Sequence, residues 1–287
     1  MSPAVEETPR LSVPWPRLVT IGVVVLVCYA PILSRLISQW IENPDMGHGF
    51  FVPLVSGYIV WQRRSQLIVL KPEPSRWGLL IVIWGAIQMV IGVLGTELFT
   101  SRTAFVITVI GVIAALGGKP FLRALAFPLA LLFLMVPIPT VVYNQLTFPL
   151  QMLASQLAAG ALSLLGIPVL RDGNILELAN GRLSVVEACS GIRSLLSLTF
   201  LSLVYGYFFE KKTWIRVTLF LATIPVAILA NGGRVTLTGI LYEIRPELAE
   251  GFFHESTGLV IFFAAGVILF LIHQILGRTS HLLARRA

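Results

Sequence analysis

The sequence predicts an all-α polytopic integral membrane protein, and three observations carry that class. Of its 287 residues, 56% are hydrophobic and only 12% charged, with a mean hydropathy of +0.86; soluble domains are about half apolar and a quarter charged. Apolar runs of about 15 to 22 residues recur from Val19 to Leu276, and roughly 20 helical residues cover the hydrocarbon layer. The alternating ten-residue segments of a barrel are absent, which leaves helices as the structure that satisfies the backbone in lipid.

Taken in order, the runs place about eight transmembrane helices near 18–38, 48–61, 77–95, 103–118, 121–139, 189–209, 214–232 and 257–276. A retained first span is expected rather than a cleaved signal peptide, because Glu6 and Glu7 precede the first run and no small-residue cleavage site follows it. With that terminus inside, Arg35, Arg102, Arg171, Arg182, Arg193, Arg234 and Arg245 fall outside and the other 14 of the 21 Lys and Arg fall inside. The split obeys the positive-inside bias and puts both termini in the cytoplasm. It also accounts for the net charge of +7. No basic cluster interleaved with aromatics points to nucleic acid.

Residues 143–166 are long enough to cross, but Asn144, Thr147, Gln151 and Ser155 make a polar stripe at helical spacing. The expectation is a helix lying in the outer interface, with a bundle-lining span as the alternative. Asp172-Gly173 and Asn180-Gly181 then separate the short runs Val169-Leu170, Ile175 to Leu178 and Leu183 to Val186. Such turn dipeptides between β-prone runs predict a small extracytoplasmic β-meander. Lys71 to Ser75 reads as a cytoplasmic linker, and no internal repeat divides the chain. A single integral-membrane domain over 1–287 is expected, with no fused C-terminal soluble domain after the last span.

Polar residues at span depth are costly and mark function. Glu187-Ala-Cys-Ser-Gly-Ile-Arg193 opens the sixth expected span, Asn231-Gly-Gly-Arg234 closes the seventh and His254-Glu-Ser-Thr-Gly258 opens the eighth. Alternating span direction brings all three to the outer side. Cys28 lies deep in the first run, which leaves Cys189 as a free thiol rather than half of a disulfide. A lone membrane cysteine is ordinarily a small buried hydrophobe. At the first turn of a helix, however, free N–H groups and the helix dipole favour its thiolate. Ser190 adds a hydroxyl, Gly191 permits close approach, and Arg193 shares a helix face with Cys189. Arg234 could snorkel to the headgroups. The preceding Gly232 and Gly233 suit an oxyanion-binding or substrate-binding role better. His254 is the matching acid or base for thiol chemistry. Its His-Glu pair lacks the second histidine of a zinc protease, Gly258 standing there, so neither metal nor other cofactor is expected. His273 and His281, near or beyond the inner end of the last span, are expected to be structural.

These segments resemble the exosortase and archaeosortase family, whose motifs are Cys-Ser-Gly-(aliphatic)-Arg, a later Asn-x-x-Arg, and a His followed by Gly four residues on. Here they read CSGIR at 189–193, NGGR at 231–234 and HESTG at 254–258, and the stretch from Asp45 to Arg64 is similar to the family's N-terminal region. The resemblance implies a cysteine transpeptidase of the inner membrane acting outside on exported proteins. Their C-terminal tails would carry a short motif, often Pro-Glu-Pro, then a transmembrane helix and a basic cluster. It assigns the acyl-thioester to Cys189, while Arg234 and His254 divide transition-state stabilisation and proton transfer. Ser190, Asn231 and Arg193 become substrate-binding candidates, with Arg193 or Arg182 meeting the acidic motif residue. Partners would be those tail-bearing proteins, membrane lipids and an acceptor, with no nucleic acid. A transporter predicts polar residues at the midplane on inverted repeats, which the sequence lacks. A non-catalytic scaffold of an envelope or exopolysaccharide assembly system is the other alternative, and in it Cys189 would be replaceable.

Overall fold

The computed structural model describes residues 15–185, 191–249 and 251–286, with backbone alone at 15, 248, 249, 251–255 and 281–286. The chain packs as two compact units, Met1–Pro137 and Ile138–Ala287. Among the described residues six helices are long and apolar enough to cross a membrane: Pro16–Glu42, Arg76–Leu94, Leu98–Met135, Ile192–Phe209, Thr213–Ile244 and Ser256–Ser280. Val24, Val27, Leu79, Ile83, Phe263 and Leu271 are exposed along them, as lipid-facing side chains are.

The first unit contains α1 (Trp15–Glu42), α2 (Phe51–Gln62), α3 (Arg64–Val69), α4 (Arg76–Leu94) and α5 (Leu98–Leu131). The expected span 48–61 is α2, whose 12 residues rise only about 18 Å. A 3-10 helix, Pro44–Phe50, extends it. Within that turn Gly49 leaves room for Trp40, whose indole nitrogen would lie 2.5 Å from a Cβ there. Trp40 Nε1 donates to the Met135 carbonyl at 3.0 Å.

The expected spans 103–118 and 121–139 are joined in α5 at Gly118, with φ 70° and ψ −158°. A Cβ at Gly118 would overlap the Glu73 carbonyl, so only glycine fits this left-handed, crowded turn. The first half of α5 runs antiparallel to α4, with Gly92 against Ser101 and Gly78 against Ala114 and Ala115. In the second half Ala124 accepts from Arg63 at the end of α2. Further on, Leu134 accepts from His48, which precedes α2. The two halves therefore run in opposite directions. The count of six against the expected eight reflects this joining and the short α2.

The second unit contains α6 (Thr140–Leu164), β1 (Val169–Asp172), β2 (Ile175–Leu178), β3 (Gly181–Ser184), α7 (Ile192–Phe209), α8 (Thr213–Ile244) and α9 (Gly251–Arg286). The strands form an antiparallel meander in the order β1-β2-β3. Asp172 pairs with Ile175 and Leu178 with Gly181, so the two-residue turns are Gly173-Asn174 and Ala179-Asn180. Each turn is thus one residue off the expected dipeptide. The expected third run reached Val186, which lies outside the described residues.

Thr147, Gln151 and Ser155 do form one line on α6, but they are buried rather than presented to a surface. Ser155 Oγ donates to the Gly173 carbonyl at 2.9 Å, and Asn174 Nδ2 donates to Gln151 Oε1 at 3.2 Å. Gln151 and Ser155 thus bind the meander turn, while Asn144, the first residue of the expected stripe, is exposed. On the same helix Ala154, Ala158 and Leu162 join Leu176, Leu178, Val185 and Val235 in one core. Small residues let α6 lie lengthwise on α8, with Gly232 against Leu157 and Gly239 against Leu162.

The helix that carries NGGR does not end there, because α8 continues to Ile244. Thr236 and Thr238 hydroxyls bond back to the Gly232 and Arg234 carbonyls at 2.8 and 3.0 Å. Val235 and Gly239 are buried. Tertiary packing thus carries the helix through two glycines. From Thr213 to Asn231 is about 27 Å at 1.5 Å per residue, close to one hydrocarbon thickness.

Candidate functional site

The site is built where α7 and α9 begin beside the middle of α8. Gly191 caps α7 with φ 79° and ψ −7°, a left-handed conformation that glycine adopts without a Cβ clash. Its carbonyl accepts from Leu195 N at 2.9 Å, closing the first helical turn. A Cβ at Gly191 would stand 2.8 Å from Asn231 Cγ. Glycine is therefore required twice here, by the backbone turn and by the neighbouring amide. Asn231 is buried. A cavity of only about 10 Å³ lies beside it, lined by Gly191, Leu195, Ala227, Ile228 and Leu150. That is space for about one water.

One helical turn further on, Arg234 is 7% exposed. Its guanidinium lies flat against Gly258 of α9, where a Cβ would stand 3.1 Å from both Cζ and one terminal nitrogen and 3.3 Å from Nε. The glycine of HESTG thus makes the seat for the arginine of NGGR, as the glycine of CSGIR does for its asparagine. Sequence reasoning gave Gly258 no task beyond occupying the place of a missing histidine. The signal available was its helical spacing of four from His254.

At the other end of these helices Tyr205 Oη and His273 Nδ1 lie 2.7 Å apart. His273 Nε2 meets Glu210 Oε2 at 3.1 Å. Lys212 Nζ donates to Ser280 Oγ at 2.8 Å, and Arg216 Nε to the Glu210 carbonyl at 2.6 Å. Burial raises the Glu210 carboxyl, but hydrogen bonds from Lys212 N, His273 and Lys211 N outweigh it and hold it below the usual carboxylate range. This network ties α7, α8 and α9 together, so their motif-bearing ends are held from a fixed base. Both ring nitrogens of His273 are engaged in it; the side chain of His281 lies outside the described residues.

Of the expected site residues, Asn231 and Arg234 come together with Gly191 and Gly258. Arg193 is half-buried on the first turn of α7. Arg182 lies on exposed β3, where its guanidinium pairs across the sheet with Glu177 at 2.8 Å. No described contact joins it to Asn231 or Arg234. Cys189 and Ser190 lie outside the described residues, as does the side chain of His254, whose backbone belongs to α9. Among the described residues no group of three His, Cys, Asp or Glu side chains could hold a metal ion.

No curated protein and no solved structure matches the chain. A family model described as transmembrane exosortase matches residues 40–271, a span that takes in α2 to α8, the meander and all three motif segments. The chain belongs to the transmembrane exosortase family.

Proposed function

We propose that this protein is a membrane-embedded cysteine transpeptidase. It cleaves the C-terminal sorting tail of exported proteins at the outer face of the inner membrane and passes each protein to an acceptor. The observation that carries this reading is the seating of Asn231 and Arg234 against Gly191 and Gly258. Those glycines follow Cys189 by two residues and His254 by four, so the NGGR segment meets both of the others, through Asn231 at Gly191 and through Arg234 at Gly258.

In this reading the Cys189 thiolate attacks the scissile carbonyl carbon, and the carbonyl π electrons move onto oxygen. Arg234 is a permanent cation in a poorly hydrated place, suited to stabilise that oxyanion and unsuited to shuttle protons. Proton transfer therefore falls to His254, which gives its proton to the departing amine as the C–N bond breaks. The acceptor nucleophile then attacks the thioester, loses its proton to His254 and releases the thiolate. Asn231 and Ser190 contact substrate. Arg193 holds the acidic residue of the sorting motif, since a guanidinium grips a carboxylate bidentately and Arg182 is already engaged by Glu177.

The test is processing of a tail-bearing substrate in membranes that hold equal amounts of inserted enzyme. Cys189→Ala abolishes cleavage, and Cys189→Ser nearly so, because a hydroxyl is far harder to deprotonate than a thiol. Sustained cleavage by purified Cys189→Ala enzyme would return the chain to a scaffold or transporter role.

A further inference from the structure

The first unit holds a second arginine in a setting unlike that of Arg234. A cavity of about 190 Å³ opens between α1, the end of α4 and the start of α5, lined by Arg35, Arg102, Thr96, Ser101, Ile32 and Val93 among others. The volume is many times the roughly 10–15 Å³ that one water needs. Arg102 is 4% exposed, and its Nε is buried with no hydrogen-bond partner. Among the described residues its side chain makes neither a hydrogen bond nor an ion pair.

The nearest acid does not answer it. The Glu97 carboxylate caps α5, accepting from Phe99 N at 3.2 Å and Thr100 N at 2.5 Å. It acts on Arg102 only at longer range. Two guanidiniums therefore face the cavity against one carboxylate that is already engaged. Leaving a buried cation unpaired is strongly unfavourable, so the cavity suits an oxyanion. Its rim is apolar, with Val93 and Leu98 both exposed. A ligand that seats there carries hydrocarbon beside its charge.

We propose that this cavity binds the phosphate group of a membrane phospholipid, with Arg102 as the buried contact and Arg35 as the outer one. Binding would tie α1 to the α4–α5 hairpin, since each contributes to the wall.

The purified full-length protein in an uncharged detergent is titrated with dioctanoyl phosphatidic acid, dioctanoylglycerol or inorganic phosphate. Binding is followed by calorimetry, and stability by Tm. Phosphatidic acid is expected to saturate and to raise Tm, and dioctanoylglycerol to do neither. Arg102→Gln is expected to weaken phosphatidic acid at least tenfold and Arg35→Gln severalfold. If Arg102→Gln fails to fold, Val93→Trp keeps the test open, since it obstructs the cavity from an exposed position and should abolish binding alone. Competition by inorganic phosphate at the same concentrations as the lipid would assign the site to the free anion. Equal phosphatidic acid affinity in wild type, Arg102→Gln and Val93→Trp would overturn the proposal.

Discussion

Glycines do different work in the two units. Along α4, Gly78, Gly85 and Gly92 recur every seven residues and face α5, where a Cβ would meet Ala115 backbone, the Thr108 hydroxyl and Ser101 backbone respectively. They let two apolar helices approach closely where lipid supplies no hydrophobic drive, the usual role of small residues between transmembrane helices. Gly191 and Gly258 face instead the amide of Asn231 and the guanidinium of Arg234. Closing those two spaces would displace polar side chains rather than helix backbones. The first set should therefore report on stability and the second on activity, and substitutions can break or sharpen that division.

The largest effect is expected from Gly258→Val. Extra carbons at 3.1 Å from Arg234 Cζ must push the guanidinium from its seat, and a misplacement of about 1 Å can cost roughly 100-fold in rate. Processing should fall by about that factor while Tm stays near wild type. A parallel loss of Tm would make Gly258 a packing residue like those of α4.

Gly78→Leu should do the reverse. Overpacking against α5 backbone costs about 1–3 kcal/mol, which lowers Tm by several degrees in a chain of this size. Activity per folded molecule should hold. Arg193→Lys should impair substrates with an acidic motif about tenfold more than those with Gln in its place, as kcat/KM measured on both will show. Equal loss would assign Arg193 to structure.

The division was only partly legible in the sequence. Hydropathy located the apolar helices, and the motif glycines stood beside polar residues, which is why Gly191 could be read as a point of close approach. Three features depend on tertiary contacts that periodicity does not carry. The stripe of α6 shows polar residues on one helix face but not what they meet, and hydrogen bonds join Ser155 and Gln151 to Gly173 and Asn174. The extension of α8 past Arg234 rests on burial of Val235 and Gly239 against α6. Arg102 looked like an ordinary outer-end cation, yet it is buried beside a cavity. The motif order alone carried the family, and the seating of Arg234 on Gly258 needed the fold.

Smaller effects probe the margins of the comparison. Gly232 and Gly233 are adjacent, but a Cβ at Gly232 would stand 3.0 Å from Leu157 while one at Gly233 meets nothing within 4 Å. Gly233→Ala should raise Tm slightly, through a helix-propensity gain of up to about 1 kcal/mol, and Gly232→Ala should not. At Glu210 the folded carboxyl lies below its ordinary value of 4.5. Its contribution is therefore present above that pH and lost as pH falls further through the folded pKa. Tm should decline in that acid window less steeply for Glu210→Gln than for wild type.

The central claim is that Cys189 forms a covalent link to substrate in a site completed by Arg234 and His254. Its most direct test is mass spectrometry of wild-type enzyme incubated with a tail-bearing substrate and a poor acceptor. The account predicts the N-terminal part of the substrate attached to the peptide containing Cys189, released by neutral hydroxylamine as a thioester is, and absent in Cys189→Ala. Substrate cleaved at the wild-type rate under conditions that trap no such adduct, with Cys189→Ala equally active, would contradict it.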